Sequence, residues 1–108
     1  MPMIRKSIVI LALGTCITAT EAAAEDVIIT QQDKAFSEEE VTIKAGDSVT
    51  FMNNDSTTHN VYSRSKGNQF DSGAQGPNES MTQVFSSPGK VKVRCAIHPR
   101  MKLTVNVE

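Results

Sequence analysis

Cys95, His98 and Met101 form a Cys-x-x-His-x-x-Met run, and His59 lies 36 residues before the cysteine. Together they offer one thiolate, two imidazoles and one thioether. Thiolate and thioether are soft donors that suit Cu(I), and imidazole also suits Cu(II). Two histidines and a cysteine around the metal, with a weak axial methionine, form the donor set of copper sites that pass single electrons. A site acceptable to both oxidation states moves little when the electron arrives, which keeps the barrier low.

Each residue has a plainer role available. A lone cysteine facing a core commonly acts as a small buried hydrophobe, and a methionine opening a strand is commonly core. The conjunction shifts the reading, because the run and His59 use both histidines and one of only two cysteines. Zinc is the nearest rival metal, but structural zinc sites favour Cys and His without a thioether. A Cys–His hydrolase would need an oxyanion hole and a third orienting group, and no motif supplies them. The chain has 108 residues and a net charge of −1. That fits one domain and gives no global pull toward nucleic acid or an anionic membrane. Two cysteines do not make a disulfide scaffold.

The elements that must position these donors are strands. Positions 95, 98 and 101 would share one face of a helix, but Pro99 inside the run disfavours helical geometry at His98. Alternation flanks the run on both sides. Val91, Val93 and Cys95 face one way and Lys90, Lys92 and Arg94 the other. Met101, Leu103, Val105 and Val107 repeat that pattern. Cys95 therefore closes one strand and Met101 opens the next. Further strands are expected at residues 27–30, 41–44, 49–52, 59–64 and 81–85. Ala45-Gly46-Asp47, residues 53–56 and residues 86–89 are turns, and 65–78 is a long loop. Residues 36–40 form a weak helix candidate. The expected fold is all-β, a two-sheet antiparallel Greek-key sandwich of about seven to eight strands.

The N-terminus has a different character. Arg5 and Lys6 precede an apolar run over residues 8–17, and Ala22-Ala23-Ala24 places small residues before Glu25. This is the layout of a secretory signal peptide spanning residues 1–24, with the working domain at 25–108. A membrane anchor would need about 20 apolar residues, roughly twice this run. Acylation at Cys16 is a lipoprotein alternative, to which Thr15 is a poor fit. The domain at 25–108 then has 84 residues, 9 basic and 11 acidic side chains, and Cys95 as its single cysteine. A lone thiol in an oxidising compartment is a liability unless something occupies it.

With these residues in view, the chain resembles the cupredoxins of the plastocyanin, pseudoazurin and amicyanin group. His59-Asn60-Val61 resembles the segment of the first ligand. Phe70-Asp71-Ser72-Gly73 resembles the stretch before the penultimate strands. Pro88-Gly89 and Cys95-Ala96-Ile97-His98-Pro99-Arg100-Met101 resemble the turn, strand and ligand loop. The short His98-to-Met101 gap is the amicyanin form. The resemblance implies one copper ion, bound strongly by His59, Cys95 and His98 and weakly by Met101. It implies that Asn60 ties the first-ligand strand to the cysteine loop by hydrogen bonds. It places His98 in an apolar surface patch as the electron's exit, with Ile97, Pro99 and Arg100 as docking residues. It implies a type 1 copper electron carrier in the periplasm, not an enzyme. Its partners would be a redox donor and acceptor, an amine dehydrogenase and a c-type cytochrome by analogy. A monomer is expected, with no nucleic acid and no membrane insertion after cleavage.

Two features depart from or add to that pattern. Ile97 stands where proline is common, and its N–H is a candidate donor to the Cys95 sulfur that would raise the reduction potential. Lys90, Lys92, Arg94 and Lys102 form a basic stripe that, with Arg100, suits an acidic partner, opposed by Glu38-Glu39-Glu40. A copper carrier without fast redox cycling, and a structural sandwich with an empty or zinc-filled site, remain as other readings of the same residues.

Overall fold

A computed structural model describes residues 23–108, and the expected signal peptide and Cys16 lie outside the described residues save for Ala23 and Ala24. Nine strands follow one another: β1 (Asp26–Gln32), β2 (Ala35–Phe36), β3 (Glu40–Ile43), β4 (Ser48–Asn53), β5 (Val61–Ser63), β6 (Phe70–Asp71), β7 (Ser80–Val84), β8 (Gly89–Cys95) and β9 (Lys102–Val107). They build a five-stranded sheet in the order β3-β9-β8-β5-β6 and a four-stranded sheet in the order β2-β1-β4-β7.

The alternation in the sequence becomes the two faces of each sheet. Val91, Val93 and Cys95 of β8 and Leu103, Val105 and Val107 of β9 are buried, while Lys90, Lys92 and Lys102 are exposed. Val49 and Phe51 of β4 and Ile29 of β1 meet them from the other sheet. The four phenylalanines run through this core as a chain of ring contacts, Phe36–Phe51 at 6.3 Å, Phe51–Phe70 at 5.9 Å and Phe70–Phe85 at 5.7 Å. Such offset and edge contacts add to area burial.

The expected sandwich is present, with nine strands among the described residues rather than seven or eight. Its sheets are mixed: β9 pairs parallel with β3, and β1 parallel with β4. Alternation within a strand fixes its faces but carries no information on the direction of its neighbour. Residues 36–40 hold no helix, because Phe36 ends β2 and Glu40 opens β3. Phe36 is buried against Phe51, so this segment spends its apolar residue on the sheet core. The strand expected from His59 begins only at Val61, and β6 occupies part of the expected 65–78 loop. His59 pairs with Gln75 in an isolated bridge, held by two backbone bonds of 2.9 and 2.7 Å.

Two strand pairings set the site. β5 lies antiparallel to β8 with Val61 opposite Cys95. This brings the chain just before Val61 beside the end of the cysteine strand. β8 lies antiparallel to β9 with Arg94 opposite Lys102. The loop between them is therefore closed at one end of the sandwich, and the Met101 N–H donates to the His98 carbonyl at 3.0 Å.

Candidate metal centre

His59, Cys95 and His98 converge at that end. The Cys95 Sγ lies 3.7 Å from His59 Nδ1 and 3.9 Å from His98 Nδ1, and the two Nδ1 atoms are 3.1 Å apart. The point equidistant from these three atoms lies about 2.1 Å from each, within the span of metal–imidazole and metal–thiolate bonds. The donor atoms thus fit a metal ion without rearrangement. Cys95 is a free thiol. His59, Cys95 and Met101 are all buried, whereas His98 is partly exposed. Met101, expected to open the next strand, stands one residue before β9 and is buried.

The three donors are fixed from behind. The His59 Nε2 faces the Asp55 Oδ2 at 2.8 Å. A carboxylate there accepts the Nε2–H and leaves the Nδ1 lone pair for the metal. Two backbone amides also donate to Asp55, from Asp33 at 2.9 Å and Lys34 at 2.8 Å. The Lys34 amide first and the His59 imidazole next hold the Asp55 carboxyl below its usual range. On the sulfur side, the Asn60 N–H points at Cys95 Sγ at 3.4 Å, and the Asn60 carbonyl accepts the Ala96 N–H at 3.0 Å.

The link from Asn60 to the cysteine loop therefore runs through its backbone. Its side chain reaches the other way, donating to Asp71 Oδ1 and to the Gly73 carbonyl, both at 2.8 Å. The Asn60 amide, then the Gly73 N–H, hold the Asp71 carboxyl low. The N–H that faces the sulfur is that of Asn60; the expected Ile97 contact is not among the hydrogen bonds of the described residues. Ile97 sits on the outer side of the loop, 50% exposed.

Behind His59 lies a buried polar layer that the alternation pattern does not reveal. Gln31, Asn53 and Gln75 are all buried. The Gln31 side-chain amide donates to Gln75 Oε1 at 2.7 Å, and the Gln75 amide donates to the Phe51 carbonyl at 2.9 Å. Asn53 Nδ2 donates to the carbonyls of Thr57 and Gln75, both at 2.9 Å. These bonds pin the 53–58 turn and the Gln75 segment, and so the backbone of His59. Asp55 carried one sequence signal, its place four residues before a histidine.

The surface beside the centre is a groove of about 480 Å³ lined by Asp33, Lys34, Ile97, His98, Pro99 and Arg100. The basic stripe begins next to it. Lys102, Arg94 and Tyr62 stand in one cross-strand row, with Lys92 and Lys90 further along the same face. Glu40 closes the opposite edge of that face, accepting a bond from Asn106.

The profile of the copper-binding proteins of the plastocyanin/azurin family matches residues 23–108. The chain belongs to that family. It is 34% identical to amicyanin-alpha of Methylorubrum extorquens over 102 residues, covering 91% of this chain and 85% of that protein. The methylamine utilization protein MauL of the same organism is 29% identical over 106 residues, 97% of this chain and 93% of that one. Among solved structures, a purple cupredoxin from Nitrosopumilus maritimus superposes with a TM-score of 0.67 at 26% identity, covering 76% of this chain and 99% of that one. Copper is the metal of this plastocyanin/azurin family, and the thiolate, imidazole and thioether donors gathered here suit it.

Proposed function

We propose that this chain is an exported, soluble one-electron carrier whose copper is held by His59, Cys95 and His98, with Met101 as a weak fourth donor. The observation that carries the reading is the triangle of donor atoms, whose centre lies at bonding distance from all three. Copper bound there supplies one-electron cycling between Cu(I) and Cu(II). The protein's part is to keep its ligands still. Asp55 holds His59, the Asn60 amide meets the Cys95 sulfur, and the His98–Met101 bond closes the loop. Burial of His59, Cys95 and Met101 keeps water from the donors. Four protein side chains leave no open position of the kind a catalytic metal site keeps for substrate, which favours a carrier over an enzyme.

His98 is the donor that reaches the surface, so the groove around Ile97, Pro99 and Arg100 is where a redox partner docks. The charges of Arg100, Lys34 and the Lys90–Lys92–Arg94–Lys102 stripe suit an acidic partner surface. Kinship with amicyanin-alpha and with a methylamine utilization protein supports partners in methylamine oxidation. An amine dehydrogenase as donor and a c-type cytochrome as acceptor fit that reading. The basic start, the apolar run over residues 8–17 and Ala22-Ala23-Ala24 support export to the periplasm, with residues 1–24 as a cleaved leader and the remainder a monomer.

Copper reconstitution tests this. An intense visible thiolate-to-copper band and a narrow copper hyperfine splitting are expected, both lost in Cys95→Ser. A colourless Cu(I) complex would instead mark a copper carrier without fast redox cycling, and zinc binding in preference to copper would refute the reading.

A further inference from the structure

The turn between β1 and β2 holds two consecutive residues in the left-handed region, Asp33 at φ 54° and Lys34 at φ 59°. Two-residue hairpin loops of this kind usually carry Asn-Gly, because a Cβ disfavours φ above zero. Asp33 suits the first position, but Lys34 stands where Gly is usual. What meets the turn is one carboxylate: Asp55 Oδ1 accepts the Asp33 N–H and Oδ2 accepts the Lys34 N–H. The same Oδ2 receives His59 Nε2. The Asp55 backbone is fixed in turn, its N–H donating to Asn53 Oδ1 at 2.8 Å.

We propose that the strained Asp33–Lys34 turn is a positioning element for His59, acting through the Asp55 carboxylate. This rests on the reading of His59 as a metal ligand. The imidazole is held at two points, Nδ1 toward the donor centre and Nε2 toward Asp55. The carboxylate is only 11% exposed, with one turn amide on each oxygen and His59 sharing Oδ2 with the Lys34 amide. Those amides fix the rotation of the carboxylate plane. Without them Oδ2 is free to swing from Nε2, and His59 loses the partner that selects its tautomer and ring angle. The turn also lines the groove with His98 and Arg100. One short hairpin therefore borders the exposed ligand and steadies the buried one.

The test uses the full chain, metal-free and copper-loaded, in four forms beside wild type. They are Asp55→Asn, insertion of two glycines between positions 33 and 34, an amide-to-ester replacement at Lys34, and Asp33→Gly with Lys34→Gly. The insertion displaces the Lys34 amide from Asp55 and the ester removes that N–H alone, both leaving Asp55 in place; the ester serves should the insertion not fold. The double glycine keeps both amides and removes the strain. Readouts are the His59 tautomer and Nε2–H exchange by NMR without metal, and copper loss to a chelator with it. Asp55→Asn and the insertion are expected to speed exchange and copper loss by at least about tenfold, the usual cost of losing a ligand's hydrogen-bond partner. The ester should shift both in the same direction, and the double glycine should match wild type. Wild-type exchange and copper loss in the folded insertion or ester variant would overturn the proposal. So would a double-glycine variant that behaves like the insertion. If wild type binds no copper, the metal reading fails, but the metal-free tautomer and exchange data still decide the coupling.

Discussion

His59 and His98 turn their Nδ1 atoms toward each other at 3.1 Å across 39 positions of sequence. Two imidazole nitrogens at that separation need a cation between them or a proton on one. Metal binding to the folded state alone should therefore raise stability by mass action. Copper is expected to raise Tm by several degrees, and excess chelator to return it to the metal-free value. His98→Ala should fold but show a much smaller copper-dependent rise. Calorimetry with and without one equivalent of copper checks this.

The sulfur's N–H partner is Asn60, not Ile97. Ile97→Pro removes an amide that the thiolate does not use, so the reduction potential should stay close to wild type. Asn60→Ala keeps the backbone N–H but removes two side-chain bonds, to Asp71 and Gly73. It should lower stability by about 1–3 kcal/mol, with the visible band retained. Voltammetry and denaturant titration of both variants separate the two effects.

Asp47 closes the turn after β3 by accepting backbone N–H groups from Glu25 and Lys44, both at 2.9 Å. Those two bonds hold its carboxyl below the ordinary value of 3.8. A group whose folded-state value is depressed stabilises the fold above its unfolded value and loses that contribution as pH falls through the folded one. Asp47→Asn should therefore lower Tm most near neutral pH. The gap from wild type should narrow below about pH 4, where unfolded Asp protonates. Thermal melts between pH 2.5 and 7 would show the convergence.

Arg100 is exposed on the rim of the groove that holds His98. Charges there speed encounter more than they tighten the complex. Arg100→Glu should slow electron transfer to an acidic partner and flatten its dependence on ionic strength, with the visible spectrum unchanged. Stopped-flow rates across a salt series give the answer, and an unaltered salt dependence would exclude this docking face.

Much of this was legible in the sequence because it depends on local pattern. Alternation over residues 89–95 and 101–107 fixes which side chains face inward, since successive strand residues point to opposite faces. Pro99 and the flanking strands identify a loop rather than a helix at His98. The donor types are those that suit copper. Residues 36–40 form no helix because Phe36 satisfies the β core through Phe51, a contact that local periodicity does not encode.

Local pattern alone carries the donor types, the faces of the longer strands and the turns at 45–47, 53–56 and 86–89. Which strands are neighbours, and so how His59 meets Cys95, is a matter of long-range packing. That contact depends on Val61 standing opposite Cys95, a pairing between segments more than thirty residues apart. It also depends on parallel partners for β3 and β1, a direction the alternation leaves open. The role of Asp55 was decided the same way. A carboxylate in a turn is ordinary in sequence, and it gains its place beside His59 only when the hairpin of β1 and β2 folds against it and His59 turns inward.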